Sequence, residues 1–219
     1  MIPVKPAPEP DSFDAQVRQP GLSAIAELVG EAALIKRPGR RRKAIATHRD
    51  ELTAEDFPPF WRQATDDLLA AYQRICSYAC LYIERVSGAA TVDHWAPKSA
   101  AWDQVYEWKN YRLACSLMNT RKSTFGDVID PFEVSDGLFA LDLVTLKAVP
   151  GPGAGPKHEQ AVLDTIKRLG LDGTDYAEAL ADYYHAYLEQ QINFQYLERR
   201  APFLAREMRR QAKLRPGDV

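Results

Sequence analysis

The sequence of 219 residues lacks a long apolar run. No stretch of about 18 consecutive apolar residues occurs in it, so we expect no membrane-spanning helix. Residues 1–10 are rich in proline and contain no apolar segment of the kind that signal peptides have, which predicts a protein that is not secreted. The expected location is the cytoplasm, by default.

Cysteine is scarce, and basic residues are not in excess. The three cysteines, Cys76, Cys80 and Cys115, are an odd number and do not suggest a disulfide framework. Lys and Arg number 28 against 30 Asp and Glu, for a formal net charge of -2. Nucleic-acid-binding proteins often have a basic balance, so the total charge counts against that class. Local basic clusters can still bind phosphates.

The positions of proline, glycine and charge divide the chain into three segments. The predicted segments are residues 1–59 (an N-terminal arm and a basic loop), 60–149 (the core) and 150–219 (a C-terminal helical region). Five prolines in residues 1–20 predict an irregular arm that wraps the domain. A short helix is predicted over residues 22–34. Residues 36–43 form a basic loop that is either a solvated linker or a phosphate contact.

Apolar spacing predicts a mixed α+β protein that is predominantly helical. Apolar residues recur at three- and four-residue steps over residues 60–82, which predicts one long helix there. Residues 132–149 could form a β-hairpin. Helices are predicted over residues 158–169 and 174–213, with glycines between them suiting a helix C-cap and a turn.

The middle of the chain predicts a strand, a long loop, a second strand and a short helix. Thr91 and Val92 read as a strand that runs into Asp93 and His94. Alternating residues 111–115 predict the second strand, and residues 119–124 the helix. Side chains of adjacent strand residues point to opposite faces, but a kink at the strand end would let Asp93 and His94 serve one site.

Several polar side chains of this unit suit hydrolysis of a phosphodiester bond. Such a reaction needs a base for the attacking water and a cation for the developing charge. Asp93 offers an anionic oxygen ligand and Asn119 a neutral one, a set that Mg²⁺ or Mn²⁺ prefers. Lys122 follows Asn119 by one helical turn and could hold a phosphate. Asn110 could fix the loop or backbone that orients His94.

Here the sequence resembles a known family. The runs VDHWAPKS, KNYRL and NTRKS (residues 92–99, 109–113 and 119–123) are similar to the motif of HNH, or ββα-metal, nucleases. They resemble the HNH module of CRISPR effector nucleases and the HNH proteins of bacterial anti-phage operons, such as the small nuclease subunit of Septu-type systems. The resemblance extends over about residues 74–125, near a quarter of the chain.

The resemblance implies a role for each motif position. It implies that His94 is the general base, that Asp93 and Asn119 bind one Mg²⁺ or Mn²⁺ ion, and that Asn110 is the middle catalytic position. Lys122 is expected to contact the nucleic acid. The other expected nucleic-acid contacts are Arg121 and Lys98.

Many relatives carry two Cys-x-x-Cys pairs that bind a structural zinc. Here Cys76 and Cys80 are separated by three residues, and Met118 stands where a thiolate would follow Cys115. A thioether is a poor zinc ligand beside thiolates, so we expect no structural zinc.

The resulting hypothesis is a ββα-metal HNH unit at the centre of the chain, flanked by the N-terminal arm and the C-terminal helices. The expected activity is metal-dependent cleavage of DNA, by nicking or by double-strand cleavage, in anti-phage defence. An ATPase subunit and a second copy of the chain are possible partners. The alternatives are a non-catalytic nucleic-acid-binding or scaffold subunit and a toxin-like nuclease that cleaves RNA.

Overall fold

The structure is a computed structural model that describes residues 1–36 and 39–218. Arg37 and Pro38, within the predicted basic loop, and Val219 lie outside the described residues. In the described part, the chain forms seven α-helices and two antiparallel sheets of two strands each. The expectation of a predominantly helical α+β protein is therefore confirmed.

The first ten residues form an irregular arm against the domain, as predicted, whereas residues 14–20, which were also predicted to be irregular, are helical. The backbone amide of Val4 donates to the carbonyl of Pro131 at 3.2 Å, and the indole Nε1 of Trp108 donates to the carbonyl of Ala7 at 2.8 Å. A π-helical turn, Asp14–Arg18, leads directly into helix α1, Gln19–Leu28. The helix predicted over residues 22–34 is therefore wrong at both ends: it begins earlier, with Pro20 in its first turn, where proline is tolerated, and it ends at Leu28, shortly before Gly30 at φ 81°.

The predicted long helix over residues 60–82 is wrong in its length. A 3₁₀ turn, Phe60–Ala64, precedes helix α2, Thr65–Ala71, and the chain then leaves the helix. Gln73 and Arg74 have φ angles of 50° and 64°, a left-handed conformation that no α-helix continues through. The apolar spacing persists beyond the helix because the following turns bury the same kinds of residue.

The predicted order of strand, long loop, strand and helix is confirmed. Strand β1, Ala90–His94, pairs antiparallel with β2, Tyr111–Cys115, and helix α3, Ser116–Lys122, follows without a gap. The register pairs Asp93 with Arg112 and His94 with Tyr111. The intervening loop contains the 3₁₀ turns Trp102–Gln104 and Trp108–Asn110.

The C-terminal part forms a hairpin and four helices. Strands β3, Phe139–Asp142, and β4, Lys147–Pro150, confirm the predicted hairpin. Helix α4, Gly155–Leu169, ends at Gly170, whose φ of 65° makes it the expected C-cap. The single helix predicted over residues 174–213 is wrong.

That stretch is three helices: α5, Thr174–Leu188, α6, Phe194–Arg200, and α7, Pro202–Arg210. The first break follows from Gln190 at φ 62° and from Asn193, whose side chain accepts from the amide of Tyr196 at 2.7 Å. Pro202 opens the last helix and cannot donate to the preceding turn.

One buried apolar cluster draws on all three predicted segments. Its members include Phe13 of the arm, Tyr111 of β2 and Leu180 and Phe203 of the C-terminal helices. Among the described residues, none of the helices combines the length and the apolar character needed to cross a membrane. The ββα unit is therefore held between the arm and the C-terminal helices by shared packing.

Candidate active site

His94 is the last residue of β1, and neighbouring side chains and one backbone carbonyl hold its ring in one orientation. The rings of Trp61 and Tyr111 pack edge-on against the imidazole at centroid distances of 5.0 and 5.1 Å, and 8% of the residue surface is exposed. The ring Nε2 lies 2.9 Å from the carbonyl oxygen of Val105. A carbonyl only accepts, so Nε2 of the neutral ring carries the proton and Nδ1 has the free lone pair.

The Nδ1 atom of His94 is not engaged by the protein. Within residues 1–36 and 39–218 it has no hydrogen-bond partner, and the residue as a whole is 8% exposed. Burial lowers the pKa of His94 to about 4, and the charges of Lys98 and Lys122 act in the same direction. The imidazole is therefore neutral at neutral pH and can accept a proton.

The contribution of His94 to stability should depend on pH. Folding lowers the pKa of the imidazole from 6.5 to about 4, so the folded protein binds this proton more weakly than the unfolded chain. The stabilisation is present above the unfolded pKa and is lost as the pH falls through the folded pKa, by about 3 kcal/mol at most. When the pH is lowered from neutral to acidic, we expect the free energy of unfolding, measured with urea, to fall less for His94→Gln than for the wild type. Equal pH dependence of the two proteins would contradict this.

Asn110 closes the loop that carries Val105. Its Oδ1 accepts from the amide of Ala96 at 2.7 Å, and its Nδ2 donates to the carbonyls of Ala96 and Gln104 at 3.1 and 3.0 Å. The predicted contact with the loop is confirmed. The side chain is buried and both ends of its amide are bonded to backbone, an arrangement that suits a positioning role, and the catalytic role of Asn110 stays a prediction.

Replacing Asn110 by alanine should loosen this loop. Three hydrogen bonds are lost and the partner groups stay partly buried, so we expect a loss of about 2–3 kcal/mol in unfolding free energy. Thermal and urea unfolding measure it, with the exposed amide variant Gln63→Ala as the matched control. Equal stability of the two variants would show that water replaces the amide without cost.

Asp93 lies on the other face of β1 from the imidazole, because strand residues alternate and β1 continues regularly through His94. The hydroxyl of Tyr78 donates to Oδ2 of Asp93 at 2.5 Å, and Nζ of Lys122 lies 3.3 Å from Oδ1. All three side chains are buried. Burial raises the pKa of Asp93, and the ammonium of Lys122 opposes that rise.

Lys122, for which a phosphate contact is predicted, points into the protein. The side chain is fully buried, and its Nζ also donates to the carbonyls of His94 at 2.9 Å and Trp95 at 3.3 Å. Every one of these contacts lies inside the ββα unit. In this structure Lys122 therefore connects α3 to the end of β1 from inside the protein, and its predicted contact with a phosphate stays a prediction.

The other two predicted nucleic-acid contacts differ in position. The guanidinium of Arg121 donates to the carbonyl of Leu169 at 3.0 Å and to Asp175 at 2.6 Å, which holds α3 to the C-terminal helices. Lys98 places its Nζ 4.3 Å from the ring centroid of Trp61, the ring that packs on His94. Of the three predicted cations, Lys98 is the one beside the imidazole and partly exposed.

The two predicted metal ligands have separate partners. Asn119 is partly exposed, and its Nδ2 donates to the hydroxyl of Thr91 at 3.2 Å, whereas Asp93 bonds to Tyr78 and Lys122. Thr91 and Asp93 alternate onto the same face of β1, so α3 covers both. In the described ranges, no three His, Cys, Asp or Glu side chains group closely enough to hold a metal ion.

A carboxylate and an amide oxygen match the donor set of a hard divalent cation in kind. In this structure the ammonium of Lys122 takes the place of such a cation, with Nζ 3.3 Å from Oδ1 of Asp93. A divalent cation at Asp93 would have to displace that ammonium.

Sequence reasoning missed three contributors to the site. The carbonyl of Val105 is backbone and leaves no residue signal, and Trp61 and Tyr78 lay in the predicted long helix. The only available hint was the length of the loop between the two strands, which must fold back to reach the strand end.

Comparison with known proteins found no match for this chain. The chain matches none of the models of known protein families and none of the curated protein sequences. Its function is therefore inferred from the geometry of its own residues.

Proposed function

We propose that this chain is a metal-dependent endonuclease of the HNH type that hydrolyses phosphodiester bonds of DNA. The single observation that carries the proposal is the bond between His94 and the carbonyl of Val105, at the end of the first strand of a ββα unit. It leaves a neutral imidazole with an oriented Nδ1 that has no partner among the described residues, and we infer that the attacking water reaches this atom, as general-base catalysis requires. The spacing of Asp93, Asn110 and Asn119 supports the same class by resemblance.

In the proposed reaction, Nδ1 of His94 takes a proton from the water that attacks phosphorus. The low pKa makes the free imidazole a weak base. An anionic phosphodiester beside the ring would stabilise the imidazolium and raise that pKa when substrate binds. Asn110 contributes by holding the loop that orients the ring, and Lys98, partly exposed beside Trp61, is the cation that we expect to contact a phosphate.

Asp93 and Asn119 are the residues that would hold Mg²⁺ or Mn²⁺. Such a cation, when bound, stabilises negative charge on the phosphate and on the leaving oxygen. Asp93 can serve only after releasing Lys122, so cation binding and the ion pair between Asp93 and Lys122 are expected to exclude each other.

Cleavage of supercoiled plasmid tests the proposal. The expected product with Mg²⁺ or Mn²⁺ is open-circular DNA, and EDTA should abolish its formation. Parallel reactions with single-stranded RNA identify a toxin-like nuclease, if RNA alone is cut. Intact plasmid and intact RNA with either cation would contradict a nuclease of any kind.

A non-catalytic nucleic-acid-binding or scaffold subunit is the second candidate, and the pairing of Asp93 with Lys122 favours it. Under this alternative the ammonium permanently replaces a divalent cation. Calorimetric titration with Mn²⁺ separates the two candidates. Binding that Asp93→Asn abolishes supports the nuclease, whereas nucleic-acid binding without any Mn²⁺ binding supports the scaffold.

One base and one cation cut one strand, so the isolated chain is expected to nick, and double-strand cleavage needs a second copy. Resemblance to anti-phage HNH proteins supports a defence role beside an ATPase subunit. Affinity purification from the native host should recover that ATPase. Full activity of a lone monomer would contradict a required partner.

A further inference from the structure

Two cysteines that are distant in sequence meet at the junction of β2 and α3. The Sγ of Cys76 accepts from the amide of Cys115 at 3.4 Å and from the amide of Ala79 at 3.4 Å. Cys76 is buried, and Cys115 is partly exposed. Both line a cavity of about 250 Å³ whose walls are mostly apolar, Met118 among them. The two thiols therefore share one small cavity, and Cys115 is the more exposed of the two.

The two thiols differ in their ease of ionisation. A hydrogen bond from Cys76 lowers the pKa of Cys115 to about 6, and the amides of Leu117 and Met118 act in the same direction. Burial raises the pKa of Cys76, which keeps its proton. The pair is thus a thiolate on the accessible side and a thiol behind it, which is the asymmetry that nucleophilic and resolving cysteines have.

Cys80, the third cysteine of the chain, serves as an internal control for the reactivity of Cys115. It is buried, its Sγ lies 3.8 Å from the carbonyl oxygen of Tyr78, and burial raises its pKa. It lines a different cavity of about 480 Å³ with Cys76, lies outside the cavity that Cys76 and Cys115 line, and is only 1% exposed. A reagent that reaches the protein surface should therefore distinguish Cys115 from Cys80.

We propose that Cys76 and Cys115 form a peroxide-reactive dithiol site that closes to a disulfide. The thiolate sulfur of Cys115 attacks one peroxide oxygen, the O–O bond breaks, and Cys115 becomes a sulfenic acid as the peroxide is reduced. The sulfur of Cys76 then attacks the sulfur of Cys115, the S–OH bond breaks, and water leaves with the proton of Cys76. Two thiols and one hydrogen peroxide give one disulfide and two waters.

The inference is independent of nuclease activity. A bond between Cys76 and Cys115 would tie the turn after α2 to the first residue before α3. In the oxidised protein this disulfide should restrain the start of α3, and reduction of the disulfide by dithiothreitol should remove the restraint.

Peptide mass spectrometry of the full chain after brief treatment with hydrogen peroxide tests the site. We expect a cross-linked peptide pair containing Cys76 and Cys115, lighter by two hydrogen atoms, while Cys80 remains a thiol that is alkylated after unfolding. Before oxidation, Cys115 in the folded protein should react with iodoacetamide at neutral pH about tenfold or more faster than Cys80.

Three serine variants assign the roles. Cys76→Ser should stop at a sulfenic acid on Cys115 that a 1,3-dicarbonyl reagent traps, Cys115→Ser should leave Cys76 reduced, and Cys80→Ser should behave as the wild type. If a variant does not fold, the wild-type peptide map alone decides. Oxidation of Cys80 as fast as Cys115, absence of the cross-link, or one zinc ion per chain held by Cys76 and Cys115 would overturn the proposal.

Discussion

Replacing His94 by alanine is expected to reduce the rate of plasmid nicking by about 10²–10⁴-fold, because the variant loses the general base. The Nε2 bond to Val105 shows which nitrogen would act, since it leaves Nδ1 as the only basic atom of the ring. The loss should appear in the rate constant at saturating DNA and not in the affinity for DNA. Single-turnover cleavage and a separate binding titration measure the two quantities.

The matched control is His185→Ala, which removes an exposed imidazole from α5. It should cut at the wild-type rate. A second test separates chemistry from packing: His94→Gly leaves a cavity between Trp61 and Tyr111, so imidazole in the buffer should restore part of the lost rate. Undiminished nicking by His94→Ala would remove His94 as the base.

The second large effect concerns stability. Lys122→Met is expected to lower the free energy of unfolding by about 3–5 kcal/mol, because it leaves the carboxylate of Asp93 buried without its cation. Methionine is close to lysine in length, so lost packing contributes little. Urea unfolding at neutral pH measures the loss.

The ionisation of Asp93 determines how the stability loss of Lys122→Met depends on pH. Burial already raises the pKa of this carboxyl, and removal of the ammonium raises it further. A protonated Asp93 needs no cation, so the loss in Lys122→Met should shrink as the pH is lowered. A loss that is the same at acidic and neutral pH would show that packing, and not charge, is responsible.

A double-mutant cycle measures the interaction energy between Asp93 and Lys122. Asp93→Asn combined with Lys122→Met removes both charges and should cost less than the sum of the two single variants. The expected coupling is at least about 1 kcal/mol for groups in direct contact. Strictly additive losses would mean that the ion pair contributes nothing. Asp93 would then be stabilised by Tyr78, and Lys122 by the backbone carbonyls.

Local patterns predicted the centre of the molecule well. The strand alternation of residues 111–115 and the hairpin within residues 132–149 arise from neighbours along the chain, and both are present. The contact of Asn110 with the loop was also predictable, because the residue closes a long connection between two paired strands. The long helices were not, since the left-handed residues Gln73 and Gln190 interrupt them without a glycine or proline as a signal. The break before α7 did have a signal, Pro202, which the helical spacing on both sides of it outweighed.

The sequence by itself determined the α+β class, the order of the elements of the ββα unit and the kinds of side chain that it carries, because these depend on local periodicity and turn chemistry. Only the tertiary structure decided which partners those side chains have. Lys122 turned inward to Asp93 because a buried carboxylate needs a cation, and the nearest one was on α3. The orientation of His94 depended on a backbone carbonyl, and no residue type encodes where a folded loop will place one.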